Sequence, residues 1–326
     1  MTTLNGRSIL VTGGTGSFGQ AFVRLLFANH QPARVVVYSR DELKQFEMRQ
    51  IFNQSQIRYF IGDVRDRERL ERALHGIDLV VHAAALKQVP TAEYNPIECI
   101  KTNVIGSENV INACINQGIK KVIALSTDKA VNPVNLYGAT KLCADKLFVA
   151  ANHLSPGGTR FSVVRYGNVI GSRGSVIPFF KSKRESGRLP VTDVRMTRFW
   201  IRIEDGASFV DRCIDMMLGG EIFVPKIPSM KIVDLATAVC SHCEHEVIGI
   251  RPGEKLHELL ITRDDARYTI EFDEFYVIRP AIHLWDSAEM ISYDGKEGRR
   301  VPEDFEYGSD SNSQWIDVDL LRLMIK

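Results

Sequence analysis

The stretch Ser8-Ile9-Leu10-Val11-Thr12-Gly13-Gly14-Thr15-Gly16-Ser17-Phe18-Gly19 decides the fold. Its apolar half reads as a short buried strand, its glycine half as a tight turn, and the residues onward to about Ala28 as a helix. Glycines at this spacing let the chain reverse sharply and bring backbone amides against a pyrophosphate, which the partial positive charge of a helix start also favours. A tight turn alone explains many glycine clusters. The strand before and the helix after supply the context that makes dinucleotide binding the expectation, with Gly13, Thr15, Gly16, Ser17, Phe18 and Gly19 as its residues.

The next apolar run, Arg34 to Tyr38, ends about twenty residues past Gly19, where an acidic residue would grip the ribose 2′-hydroxyl of NAD. The chain offers Ser39-Arg40 there, with Lys44 one turn along the following helix. Two cations suit a 2′-phosphate that a carboxylate would repel, so NADP is expected over NAD. Asp41 is the residue that could still accept a ribose hydroxyl.

Further along, Lys121 to Leu125 reads as a buried parallel strand that runs into Thr127-Asp128-Lys129, and Leu136 to Ala151 reads as an amphipathic helix. Tyr137 and Lys141, at i and i+4, share one face of that helix. A lysine ammonium close to a phenol favours the phenolate and makes the tyrosine a usable acceptor of a hydroxyl proton. Two proton-transfer systems therefore lie close together in sequence, which fits an enzyme with several proton steps.

Apolar strands at Ile57 to Ile61, Leu79 to His82, Val122 to Ser126 and Phe161 to Val164 alternate with helical stretches. This rhythm predicts an α/β, Rossmann-like doubly wound parallel sheet. From about Gly171 the rhythm changes to prolines and short elements, which suits a smaller C-terminal substrate-binding lobe, with Phe199 to Leu218 a candidate for returning to the main sheet. The division expected is 1–170 for nucleotide binding, 171–280 for the lobe, and 281–326 as a tail whose role is not legible.

With 326 residues, 25% of them charged, and a formal net charge of +1, the chain offers no electrostatic case for nucleic acid or an anionic membrane. It has neither a spanning apolar run nor a basic-then-apolar leader, and a cytoplasmic location is expected. Its six cysteines, at 99, 114, 143, 213, 240 and 243, form no disulfide framework and are expected to be free thiols. Cys240-Ser241-His242-Cys243-Glu244-His245 is too compressed for a paired Cys and His zinc finger, so the segment reads as a helix end and loop with no metal.

Thr12 to Gly19, Tyr38 to Lys44, Ala83-Ala84-Ala85-Leu86-Lys87, Thr127-Asp128-Lys129, Tyr137 to Lys141, Arg165-Tyr166-Gly167-Asn168, Gly171 to Ser175 and Arg251-Pro252-Gly253-Glu254-Lys255 together carry a resemblance. From about Arg7 to Pro280 the chain resembles the extended short-chain dehydrogenase/reductase family, and within it the inverting UDP-N-acetylglucosamine 4,6-dehydratases (5-epimerases) of pseudaminic acid biosynthesis. Epimerases of the family share the glycine turn and the Tyr and Lys, but usually lack an Asp-Lys pair after the catalytic strand, and retaining dehydratases typically carry Asp-Glu there. Lys129 is thus the residue that points to inversion.

The resemblance implies further cofactor contacts at Ser39, Arg40, Lys44, Asp63, Val64, Ala83, Lys87, Tyr137, Lys141, Val169 and Arg173. For a UDP-N-acetylglucosamine substrate it implies Lys87, Asn168, Val176, Thr192, Arg251 and Glu254. It also implies a mechanism. Tyr137, assisted by Lys141 and oriented by Thr127, takes the C4 hydroxyl proton as hydride passes to NADP; Lys129 then removes the acidified C5 proton while Asp128 protonates the departing C6 hydroxyl, though these two roles could be exchanged. Hydride return to C6 and reprotonation on the opposite face of C5 give UDP-2-acetamido-2,6-dideoxy-β-L-arabino-hex-4-ulose. A UDP-sugar 4-epimerase and a non-catalytic NADP-binding sensor are the alternatives. By analogy with relatives, Pro96 to Gln117 and Tyr137 to Ala151 would pair across a two-fold axis in a homo-oligomer, dimer-based and up to a hexamer.

Overall fold

The computed structural model describes residues 4–155, 158–171, 176–281, 292–293 and 295–325. Strand β1 (Ser8–Thr12) is followed by α1 (Ser17–Asn29), β2 (Arg34–Ser39), α2 (Glu42–Ile51), β3 (Ile57–Ile61), α3 (Arg67–Ala73) and β4 (Leu79–His82). Next come α4 (Val89–Tyr94), α5 (Pro96–Ile100), a π turn (Lys101–Ile105), α6 (Gly106–Asn116), β5 (Lys121–Thr127), α7 (Leu136–Leu154) and β6 (Arg160–Tyr166). The strands lie in the order β3-β2-β1-β4-β5-β6, all parallel. Helices cover both faces, so the central strands are apolar without alternation: Ile9, Leu10, Val11, Val35, Val36 and Val37 have no exposed surface. The order reverses between β1 and β4, and a ligand crevice belongs at the carboxyl ends of the strands there.

Beyond β6 the chain forms β7 (Asn168–Ile170), α8 (Val176–Lys183), β8 (Arg188–Val191), β9 (Thr197–Arg202), α9 (Ile203–Met216) and β10 (Ile222–Pro225). It continues through β11 (Ser229–Lys231), α10 (Ile232–Val239), β12 (Glu244–Val247), β13 (Leu259–Ile261), α11 (Arg263–Ala266), β14 (Thr269–Glu271) and β15 (Phe275–Ile278). Phe199 to Leu218 joins the main core through helix α9, which packs on β5 and β6, and supplies no strand to the main sheet. Strand β9 pairs with β7 and β11 in a separate small sheet, α9 packs against α1, and β10 takes the place beside β6. Antiparallel β15, β14 and the short strand Arg299–Arg300 then extend the main sheet.

The lobe has a core of its own, including Phe180, Leu189, Val191, Met196, Trp200, Met230 and Leu235. Residues beyond 281 contribute to it: Ile316 and Leu321, the latter on helix α12 (Val318–Met324), are buried in this cluster. Not all the cysteines are free thiols as expected. Cys240, which caps α10, and Cys243 form a disulfide, because the short turn after the helix brings their Cα atoms to 5.4 Å, within bridging range. Cys99, Cys114, Cys143 and Cys213 are in no disulfide. No helix among the described residues is long and apolar enough to cross a membrane.

Candidate active site

A cleft of about 960 Å³ opens at the carboxyl ends of the parallel strands and runs under the lobe. Its floor begins at Gly13, whose φ of +63° and closeness to the Ala84 backbone, 2.9 Å from any added Cβ, leave room only for glycine. A Cβ at Gly19 would likewise overlap the backbone of Gly14, so α1 can start flush against the turn. Gly16, the N-cap of α1, brings no side-chain cap, and the first turn holds no acidic residue. The amides of this helix start are therefore free of a competing carboxylate, and the cradle fits the pyrophosphate of a dinucleotide. Thr12 locks the crossover from β1 to β4: its hydroxyl lies 2.8 Å from His82 Nδ1 and accepts the amides of Ala83 and Ala84 at 3.2 Å.

At the tip of β2, Ser39 is buried and its hydroxyl and carbonyl both accept from Gln45. Arg40 reaches Asp63 at 3.5 Å and lies half exposed on the cleft wall, with Lys44 beside it. Asp41 is committed elsewhere: it caps α2 through the Lys44 amide and pairs with the Lys44 ammonium at 2.8 Å. Burial would raise the Asp63 carboxyl, but hydrogen bonds from Arg65 and the charge of Arg40 hold it below the usual carboxylate range.

The end of β5 delivers Thr127 and Lys129 to the cleft, with Asp128 buried between them in sequence, and the start of α7 delivers Tyr137 and Lys141 to the same cleft. Tyr137 packs with Ala92 and Cys99 against Leu86, Val89 and Leu136. Burial pushes its phenol up to about 12; the charge of Lys129 and the bond to Thr127 pull it the other way. Lys141 is buried, its ammonium donates to the Leu125 carbonyl at 2.7 Å, and burial lowers its pKa against the pull of Asp145.

Lys129 Nζ lies 3.0 Å from Asp128 Oδ1, 3.2 Å from Asn168 Oδ1 and 3.5 Å from Glu258 Oε1. Burial disfavours its charge, yet the two carboxylates outweigh that and hold the ammonium well above its ordinary value. These neighbours favour the ammonium form at rest. Asp128 is set deeper. It has no exposed surface and stands behind Lys129, where Oδ1 accepts from Thr127 and Lys129 and Oδ2 has no hydrogen-bond partner. Burial raises its carboxyl against the pull of Lys129.

All the other residues expected at the site line this one cleft, with the exception of Arg173, which lies outside the described residues. Val64, Ala83 and Lys87 come from the loops after β3 and β4, while Val169, Val176 and Thr192 come from the elements beyond β6. Burial and the charge of Lys129 lower the ammonium of Lys87. Arg251 and Glu254 sit 3.9 Å apart on the turn Arg251-Pro252-Gly253-Glu254, which Asn135 ties to the start of α7 by donating to the Gly253 carbonyl at 2.7 Å. Glu258 and Arg198 also line the cleft and were not anticipated. Glu258 stands three residues past the Arg251 to Lys255 run, and neither residue carries a periodic or spacing signal of its own.

This fold and cleft define a nucleotide-binding enzyme of the short-chain dehydrogenase/reductase type, with a second ligand held between sheet and lobe. The chain belongs to the polysaccharide biosynthesis protein family, whose model matches residues 9–280. It is 59% identical, over 95% of each chain, to a Campylobacter jejuni protein named UDP-N-acetylglucosamine 4,6-dehydratase (inverting). It is 44% identical to a Rickettsia typhi UDP-glucose 4-epimerase, over 83% of this chain and 82% of the other. Among solved structures, that of Pen from Bacillus thuringiensis matches with a TM-score of 0.90 and 35% identity, over 99% of this chain and 98% of the other.

Proposed function

We propose that the chain is an inverting UDP-N-acetylglucosamine 4,6-dehydratase. The observation that carries this reading is that Thr127 and Lys129, both bonded to the buried Asp128, line the same cleft as Tyr137 and Lys141, since an epimerase has no step at C5 that needs the Asp and Lys pair. A nicotinamide dinucleotide in the Gly13 to Gly19 cradle supplies a hydride acceptor for C4 and a donor for C6. NADP is the form proposed. Arg40 and Lys44 at the wall support a 2′-phosphate, and Asp41, already spent on the α2 cap, is a poor partner for a ribose hydroxyl.

In this mechanism Tyr137 takes the C4 hydroxyl proton, with Thr127 orienting it. The C4 ketone acidifies C5, and Lys129, at the cleft wall, takes the C5 proton. Transfer of one proton from Lys129 to Asp128 makes the first a neutral base and the second an acid, so a single internal shift arms both. Asp128 then serves the departing C6 hydroxyl through its hydrogen-bond partner Thr127, since it does not itself reach the cleft. Lys87, Asn168, Val176, Thr192, Arg251 and Glu254 are proposed to hold the UDP-sugar. Tyr94, Ile97 and Ile105, exposed along α4, α5 and the π turn, support a homo-oligomer built on that face. A cytoplasmic location goes with this reading, because nucleotide sugars and nicotinamide nucleotides are charged metabolites of that compartment.

The test is isotopic. UDP-N-acetylglucosamine deuterated at C4 should give a product lighter by one water and deuterated at C6, and unlabelled substrate in D₂O should gain deuterium at C5. An unchanged mass with the label back at C4 would replace this reading with an epimerase.

A further inference from the structure

Resting on the dehydratase reading, we infer that Asn135 is a positioning residue for the oxidation at C4, fixing the distance between the turn that holds the diphosphate of the UDP-sugar and the tyrosine that takes the C4 hydroxyl proton. Its side chain bonds in two directions. Oδ1 accepts the Gly138 amide at 2.7 Å and so caps α7, two residues before Tyr137. Nδ2 donates to the Gly253 carbonyl at 2.7 Å, on the turn Arg251-Pro252-Gly253-Glu254. A donor required on one side and an acceptor on the other leave the amide a single orientation. Arg251, Gly253, Glu254 and Tyr137 line the cleft, whereas Asn135 stands behind them.

Capping alone does not call for asparagine. An N-cap needs only an acceptor, which Asp, Ser or Thr supplies as well, and it is the donor end that an amide adds. Here the donor is used on a residue 118 positions away. A second tie runs the same way: Lys255 Nζ donates to the Val131 carbonyl at 2.6 Å, so the segment leading into α7 is bonded to the Arg251 to Lys255 run at two points. The helix start is held from the other side as well, because Glu93 of α4 accepts the Leu136 amide at 2.7 Å.

Arg251, half exposed on the cleft wall, is the cation of that turn and suits a diphosphate. The diphosphate is remote from the atoms that react. In the oxidation the C4 hydroxyl proton goes to the ionised Tyr137 oxygen and the C4 hydrogen leaves with its electron pair to the nicotinamide, so C4 has to stand in register with both. Binding energy gained at the diphosphate serves that register only if the turn and Tyr137 keep a fixed separation. Asn135, bonded to the turn and to the helix that carries Tyr137, supplies it.

Asn135→Asp keeps the cap and removes the donor. In the full-length enzyme loaded with NADP, the maximal rate of single-turnover nicotinamide reduction by UDP-N-acetylglucosamine should fall roughly 10- to 10²-fold, the scale of a misplaced reacting group, with dinucleotide affinity and unfolding midpoint close to the parent's. A cycle with Arg251→Ala separates positioning from plain support of the fold. In the parent, Arg251→Ala should lower the maximal rate as well as raise the half-saturating substrate concentration; in the Asn135→Asp background it should raise the concentration and leave the rate alone. A parental rate in Asn135→Asp overturns the inference, as does an equal effect of Arg251→Ala on the rate in both backgrounds. Asn135→Ser keeps a cap without adding charge, and loss of the fold or of dinucleotide binding in both Asn135 variants marks a purely structural role and also overturns it. The parent enzyme's C4-to-C6 label transfer judges the dehydratase reading separately.

Discussion

Arg40 shows how much one side chain at a strand tip decides. It faces the cleft with a carboxylate, Asp63, 3.5 Å away, so an incoming phosphate would share the guanidinium with that acid. Arg40→Asp places a second carboxylate there and should weaken NADP by roughly 10- to 10²-fold, the scale of a charge-assisted hydrogen bond, while affecting NAD far less. Titration of both cofactors at fixed salt checks it, and equal NADP affinity before and after would remove Arg40 from the cofactor site. The glycines and the Tyr137 and Lys141 pair could be found in the sequence because their chemistry follows from local spacing. The surroundings of Lys129 were only half legible: Asp128 is its neighbour in sequence, whereas Glu258 is far away and brought near only by the lobe.

At the scale of elements, the junction of β1 and β4 carries a titratable group in its interior. His82 is fully buried between Thr12 and Ser107, and burial, reinforced by Lys141, lowers its pKa from 6.5 to about 3. The unfolded imidazole binds its proton near 6.5 and the folded one only near 3, so between those values the unfolded state holds more protons and stability falls as the pH drops. Going from pH 7 to pH 5, His82 should cost about 2 kcal/mol of folding free energy. Denaturant unfolding at the two pH values should show this slope in the parent and lose it in His82→Asn; an unchanged slope would mean the ring is charged when folded. The parallel strands were legible to within about two residues, because continuous Val and Ile runs leave few other readings. The lobe was not, since β7, β9 and β11 are too short to show a period and pair with one another rather than with their sequence neighbours. The π turn at Lys101–Ile105 has no sequence signature either, yet it aims Asn103 at the Leu86 backbone and at Thr140 of α7, tying the loop after β4 to the helix that carries Tyr137.

Across the whole molecule, two hydrophobic cores meet at the cleft, and the second depends on residues near the chain's end. Leu321→Ala, at a position with no exposed surface, should cost about 2–5 kcal/mol by leaving a cavity in the lobe. Its expected signature is a lowered unfolding midpoint and weakened substrate binding with dinucleotide affinity retained, because the cradle at Gly13 to Gly19 belongs to the other core; parallel loss of both affinities would mean the cores are not separable. The tail's contribution was illegible in sequence because a polar stretch ending in one short amphipathic helix resembles a solvated extension. Ser309 also sets an order in time: its hydroxyl accepts the amide of Glu258, a residue of the cleft, at 2.9 Å, so Glu258 is held only once residue 309 has been made. Chains fold in domains from the N-terminal end as they are made, and by Tyr166 the six parallel strands are all present. Ser309 follows only roughly ten to thirty seconds of translation later. The nucleotide cradle is thus complete in the chain well before the residue that holds Glu258 in place is made.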